Sequence, residues 1–276
     1  MAEREQQEQV ARDDAAEWKQ VAELRAVTQA QDPSCKSKRK SQDARTHDRL
    51  TVTQDEDDYT LRRFLRARDH NIGKASAMLL KYLKWKPAAK PHGAIAAAEV
   101  AREAAQGKLY LQGHDREGRP LIYGFGARHH PARRDLDEFK RYVVHVLDAT
   151  VARLPPPPPG DVRQEKFAAV ADLAGWGYAN CDIRGYLAAL DIMQSYYPER
   201  LARVFLVHVP YVFMAAWKIV YPFIDDNTKK KFVFVPDKDL DRTLREAIDD
   251  SQLPEIYGGK LKLKLVTPPA NKLPSH

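Results

Sequence analysis

The sequence lacks most of the features by which enzymes and secreted proteins announce themselves. Its 276 residues include two cysteines, Cys35 and Cys181. Their separation fits no metal-ligand spacing and gives weak ground for a disulfide. No secretory pattern opens the chain, so a reducing compartment, the cytoplasm, is the expectation. No apolar run approaches the about 18 residues that a membrane-spanning helix needs, which leaves peripheral contact as the way to meet a bilayer. Glycine-rich phosphate loops are missing, both Gly-x-Gly-x-x-Gly after a strand and the Gly/Lys type. So is the Gly-x-Ser-x-Gly elbow of serine hydrolases. His129-His130 is the one adjacent histidine pair. Neighbouring residues point apart on regular elements, so it reads as polar loop rather than metal site. Asp225-Asp226, after Pro222, reads as a helix cap. With no nucleophile–base pair, metal cluster or cofactor motif, the expectation is a protein that is not an enzyme and needs no cofactor.

What is present is a basic folded region behind a polar beginning. Net charge is +7. The first fifty residues carry ten basic and ten acidic side chains, so the excess lies beyond them. A basic domain suits an anionic partner: a membrane surface, a phosphorylated ligand or nucleic acid. Residues 1–31, rich in Glu, Gln, Ala and Arg, read as a solvated helix or a disordered stretch. A break follows at Asp32-Pro33-Ser34, then a basic cluster at 36–40. With few large apolar side chains, residues 1–54 are expected to add little to a core.

Order is expected from about residue 55. Leu61, Phe64 and Leu65 stand at helical spacing. Ala75, Met78, Leu79 and Tyr82 mark a second helix from Ile72, which Pro87 is expected to stop. Residues 109–112 and 120–125 read as strands around a turn at Asp115–Gly118. A helix over 137–151 leads into Pro155–Pro159, an extended loop. Phe167–Leu173 is a buried strand. Helix 182–196, strand 204–209, the apolar helix 211–221, strand 232–235 and helix 239–250 follow. Such alternation predicts an α/β layered sheet.

Six segments, in order, resemble the CRAL-TRIO lipid-binding family in its phosphatidylinositol-transfer branch. They are Leu61-Arg-Arg-Phe-Leu-Arg-Ala-Arg68, Gly118-Arg-Pro120, Asp172-Leu-Ala-Gly175, Tyr196-Tyr-Pro-Glu-Arg200, Tyr221-Pro-Phe-Ile-Asp225 and Leu253-Pro-Glu-Ile-Tyr-Gly-Gly259. The resemblance covers about residues 56–262. It implies an α/β fold with a helical amino-terminal lobe (55–95). A ligand domain (96–262) follows, with a mostly parallel sheet flanked by helices, and a tail (263–276). An apolar lipid pocket would be closed by a mobile gate helix over Val212–Val220, led by Phe213, Trp217 and Val220.

The resemblance also implies a headgroup site at Arg68, Glu199, Thr228 and Lys231. A phosphoinositide offers a phosphate, which calls for Lys, Arg or a hydroxyl donor, and ring hydroxyls, which suit a carboxylate acceptor. Where family members that carry phosphatidylcholine place Ser, Thr and tyrosines, this chain has Phe167, Ala169, Leu111 and Ile122. Tyr110 and Tyr123 are each one residue away, and a one-residue slip on a strand reverses its facing. The expected partner is phosphatidylinositol or a related phospholipid, met at a membrane surface by a monomer with no nucleic-acid role. The alternatives are a carrier of a terpenoid or sterol-like molecule, and a lipid-sensing interaction module.

Overall fold

The computed structural model describes residues 2–31, 56–156 and 163–264. Cys35, the 36–40 cluster, most of the proline run and the tail beyond residue 264 lie outside the described residues. The chain divides into two units, Met1–Gly93 and Ala94–His276.

The first unit holds three long helical segments: α1 (Ala2–Gln31), α2 (Asp58–Arg66) and α3 (Ile72–Ala89). Asp57 caps α2 by accepting the Thr60 N–H, and Asn71 caps α3 by accepting that of Lys74, so both helices start where a short polar side chain replaces the missing backbone acceptor. Leu61, Phe64 and Leu65 pack against Ala75, Met78 and Leu79, as the spacing predicts. The structure differs from expectation twice. The α1 helix does add to this core: Val21 is 1% exposed and Leu24 and Thr28 are fully buried. These residues stand at i, i+3 and i+7 and form one stripe. Asp14 and Glu17 pair with Arg62, and Glu17 also with Arg66. Acidic side chains of the first fifty residues thus pair with arginines beyond them, on α2. Pro87, moreover, does not stop α3. It sits in the last turn, where proline forfeits a single backbone bond, and the Lys90 N–H still reaches the Lys86 carbonyl.

The second unit begins with the short α4 (Ala101–Ala105) and is built on a five-stranded sheet in the order β1 (Leu109–His114), β2 (Pro120–Phe125), β3 (Phe167–Asp172), β4 (Leu201–Val207) and β5 (Phe232–Phe234). The β1–β2 pair is antiparallel and the others parallel. The hairpin turn depends on Gly118, whose φ of 74° few side-chain-bearing residues adopt. Asp115 braces it by accepting the N–H groups of Glu117 and Arg119.

Three helical crossovers join the parallel strands: α5 (Leu136–Val151), α6 (Ile183–Tyr196), and α7 (Phe213–Val220) with the short α8 (Asp226–Lys229). Asp182 caps α6 so closely that a Cβ on Gly185 would lie 2.3 Å from its carboxylate, so a larger residue there would displace the cap. With strands in sequential order, the right-handed crossovers that parallel strands take put these helices on one face. The other face is a closed core. Leu121, Tyr123, Val170, Phe205 and Val207 pack there against Leu244 and Ile248 of α9 (Leu240–Ala247) and its neighbour, and against Leu253 and Tyr257.

Candidate functional site

The helix-bearing face of the sheet is not filled. A cavity of about 370 Å³ lies over Ala171, Val204, Leu206 and Phe232. These floor residues alternate along the strands with those of the closed core, as the two-residue period requires. The roof comes from α5 (Val143, Leu147), α6 (Leu190, Met193) and α7. Phe213, Trp217 and Val220, the stripe singled out in the sequence, all face this space. The lining is hydrocarbon almost throughout, suited to a ligand that asks for no hydrogen bonds inside.

The outer surface of the α7 region carries exposed apolar side chains. Tyr211 is 91% exposed, Ile219 53% and Phe223 59%, although most large apolar side chains are buried. Lys229 lies 4.9 Å over the Tyr221 ring. The stripe led by Trp217 is therefore the inner face, and the residues presented outward are Tyr211, Ile219, Tyr221 and Phe223.

A buried polar cluster abuts the cavity beside the carboxyl ends of the strands. His129, expected in a polar loop, is 6% exposed. One ring nitrogen lies 2.9 Å from the Lys108 ammonium and the other 2.9 Å from an Asp182 oxygen. An ammonium only donates, so Nδ1 is the acceptor and Nε2–H donates to Asp182. Burial and Lys108 push the imidazole's pKa below its ordinary value, against the pull of Asp182. Lys108 also pairs with Glu103, and Arg134 with Asp182. Nearby, Asp172 accepts from the Tyr257 hydroxyl at 2.8 Å and lies 3.0 Å from His208 Nδ1. The chain's own groups thus engage one another at this end.

The opposite end differs. Glu199 precedes β4, and Lys231 precedes β5. The Lys231 ammonium lies 3.7 Å from one Glu199 oxygen and its side chain is 16% exposed. Burial lowers its pKa, and Glu199 offsets this in part. Thr228 is buried on α8, its N–H capped by Asp225 as the cap reading required, and its carbonyl accepts the Lys231 N–H at 3.0 Å. Phe232, the next residue, is in the cavity wall. The Lys229–Lys231 run therefore splits: Lys229 pairs with Asp226, and Lys231 turns inward to Glu199. Glu199 has φ 56°, a left-handed conformation uncommon outside glycine. Such strain persists where the surroundings hold it, and it clusters at ligand sites. Arg68, the remaining residue of the expected set, belongs to the amino-terminal unit, just past α2, where its guanidinium donates to the Ala67 carbonyl.

Tyr110 and Tyr123 sit in the closed core on the far face. Their hydroxyls are engaged by Arg128 and the Gln252 carbonyl. One residue that the sequence reading missed, Lys166, approaches Glu199 at 3.5 Å. Its only signal was a charge immediately before a buried strand.

Comparisons with known proteins agree with this architecture. The crystal structure of Sfh5 superposes with a TM-score of 0.58 at 19% identity, covering 75% of this chain and 73% of that one. The phosphatidylinositol transfer protein CSR1 of Eremothecium gossypii is 28% identical over 214 residues, 74% of this chain and 47% of that protein. Patellin-6 of Arabidopsis thaliana is 29% identical over 215 residues, 74% of this chain and 51% of that protein. The chain therefore spans about half the length of these two relatives. The family model described as the CRAL/TRIO domain matches residues 104–259, more than half of the sequence and all five strands. With fold, cavity and sequence match in accord, this chain belongs to the CRAL/TRIO domain family.

Proposed function

We propose that this protein binds one inositol phospholipid and moves or presents it between membranes without covalent chemistry. The observation that carries the reading is the pairing of a hydrocarbon cavity with the Glu199–Lys231 cluster one residue from its wall. An amphipathic ligand with an anionic, hydroxylated head satisfies both parts. Its chains remove apolar surface from water. Its phosphate meets Lys231 and Thr228, and its hydroxyls meet Glu199. The name of the phosphatidylinositol transfer protein among the relatives supports this choice. The α7 segment acts as the gate. Its inner face closes the cavity, and its exposed Ile219, Tyr221 and Phe223 meet the bilayer interface, where aromatic rings partition well.

A second reading rests on size. A cavity of 370 Å³ is near the low end for small-molecule sites. A compact terpenoid or sterol-like cargo would fit it without displacing α7, whereas a two-chain lipid requires the roof to move outward.

Mass analysis of lipid retained by natively purified protein tests both. Phosphatidylinositol supports the first reading, and a neutral apolar molecule supports the second. Lys231→Ala is expected to weaken phosphatidylinositol binding by about 1.5–3 kcal/mol, the worth of a charge-assisted hydrogen bond. Undiminished transfer between liposomes by a normally folded variant would refute the headgroup assignment.

A further inference from the structure

Lys166 lies outside the set of residues that the family resemblance supplies, yet the fold fixes it against Glu199. Two ties hold the start of β3 to the loop before β4. The Phe167 N–H donates to the Arg200 carbonyl at 2.8 Å, and the Arg200 guanidinium donates to the Glu165 carbonyl at 2.9 Å. On the other side, the Val204 N–H donates to the Lys231 carbonyl at 2.8 Å. The starts of three adjacent parallel strands thus bring Lys166, Glu199 and Lys231 together. Each Glu199 oxygen faces a different ammonium, at 3.5 Å for Lys166 and 3.7 Å for Lys231. Both spacings exceed the about 2.7–2.9 Å of a tight charge-assisted hydrogen bond. The carboxylate is held between two cations without close contact to either.

Resting on the headgroup reading above, we propose that Lys166 is a further headgroup-binding and specificity-determining residue. It and Lys231 balance Glu199 from two sides. When ring hydroxyls donate to Glu199, both ammonium groups turn to the phosphodiester oxygens. Two ammoniums and one carboxylate leave a single positive charge, which one phosphodiester monoanion neutralises. A choline head would instead bring a third cation beside the two lysines. Lys166 therefore favours a hydroxylated, uncharged head group on the phosphate over a zwitterionic one.

The test compares full-length Lys166→Gln, Lys166→Arg and Lys231→Ala in lipid pick-up from phosphatidylcholine vesicles containing a small fraction of phosphatidylinositol. The Lys166 side chain is 41% exposed, so normal melting is expected. Should the glutamine variant melt early, Lys166→Met, which keeps the aliphatic stem, carries the same expectation. Lys166→Gln should lose about tenfold or more in phosphatidylinositol affinity, with a lower preference over phosphatidylcholine, while the arginine variant stays within about threefold of wild type. A purely structural ion pair would shift melting and leave the lipid preference unmoved. If Lys231→Ala loses phosphatidylinositol and Lys166→Gln does not, the inference is overturned and the headgroup reading stands. If neither variant differs from wild type, or wild type takes up no phosphatidylinositol, both fall.

Discussion

Replacing Trp217 by Glu separates a gate from a core helix. The indole makes ring contacts with Phe213 and Tyr221 on its own segment, and with Phe232 at 5.0 Å and Phe234 at 5.3 Å on β5. Only the β5 pair must break when α7 swings outward. Aromatic pairs contribute about 0.5–1.5 kcal/mol each beyond area burial, so their loss disfavours the closed state by about 1–3 kcal/mol. That shifts the closed-to-open ratio roughly 5- to 150-fold. A carboxylate facing a hydrocarbon cavity adds desolvation cost in the same direction. The fold should survive, because the core behind the sheet contains no residue of α7, whose packing lies in the smaller clusters on the cavity side. The expected outcome is a cooperatively melting protein that releases bound lipid to acceptor vesicles much faster than wild type, with faster amide exchange over 213–220. Trp217→Phe should stay close to wild type. A folded Trp217→Glu protein with a normal release rate would refute the gate. Loss of the cooperative melt would show that α7 belongs to the indispensable core.

Three further outcomes follow from other parts of the molecule. Leu24→Ala is expected to destabilise the amino-terminal unit by about 2–5 kcal/mol, since Leu24 is wholly buried; an unshifted thermal transition would contradict the packing of α1. His129 has a lowered folded pKa, so below its unfolded value of about 6.5 the unfolded chain binds more protons and stability falls with pH. His129→Gln should flatten the decline in melting temperature below that pH, and an unchanged slope would assign it to other groups. Phosphatidylcholine exchange should be far slower than that of phosphatidylinositol, given apolar Phe167 and Ala169; comparable rates would sink that expectation.

The parts of the fold legible in the sequence were those governed by local pattern. The Phe167–Asp172 strand announced itself as an unbroken apolar run because parallel strands are covered on both faces. The cap at Asp225 and the turn at Gly118 follow from short-range backbone chemistry. The α1 helix was harder to place. Its buried stripe occupies only part of thirty residues, and the charges that anchor it find partners about fifty residues away. Distance in sequence also hid the buried cluster of Lys108, His129 and Asp182, since no fixed spacing relates them. Glu199 and Lys231 were found through resemblance, whereas Lys166 became visible only when strand register set it beside them.

The sequential strand order has a mechanical consequence for cargo size. The floor of the cavity is stitched by ladder bonds, on both sides for β3 and β4 and on one side for the edge strand β5, and backed by α9 and Leu253, so it cannot yield without unpairing strands. The roof consists of three helices on one side, and the shortest, α7, is eight residues and flanked by Pro210 and Pro222. On the gate proposed above, volume is adjustable in one direction only, and its upper limit is set by the reach of the chain from 208 to 225 rather than by the sheet. Lengthening that strap by a few residues, with the floor untouched, is the route by which this scaffold would be retuned to a bulkier molecule.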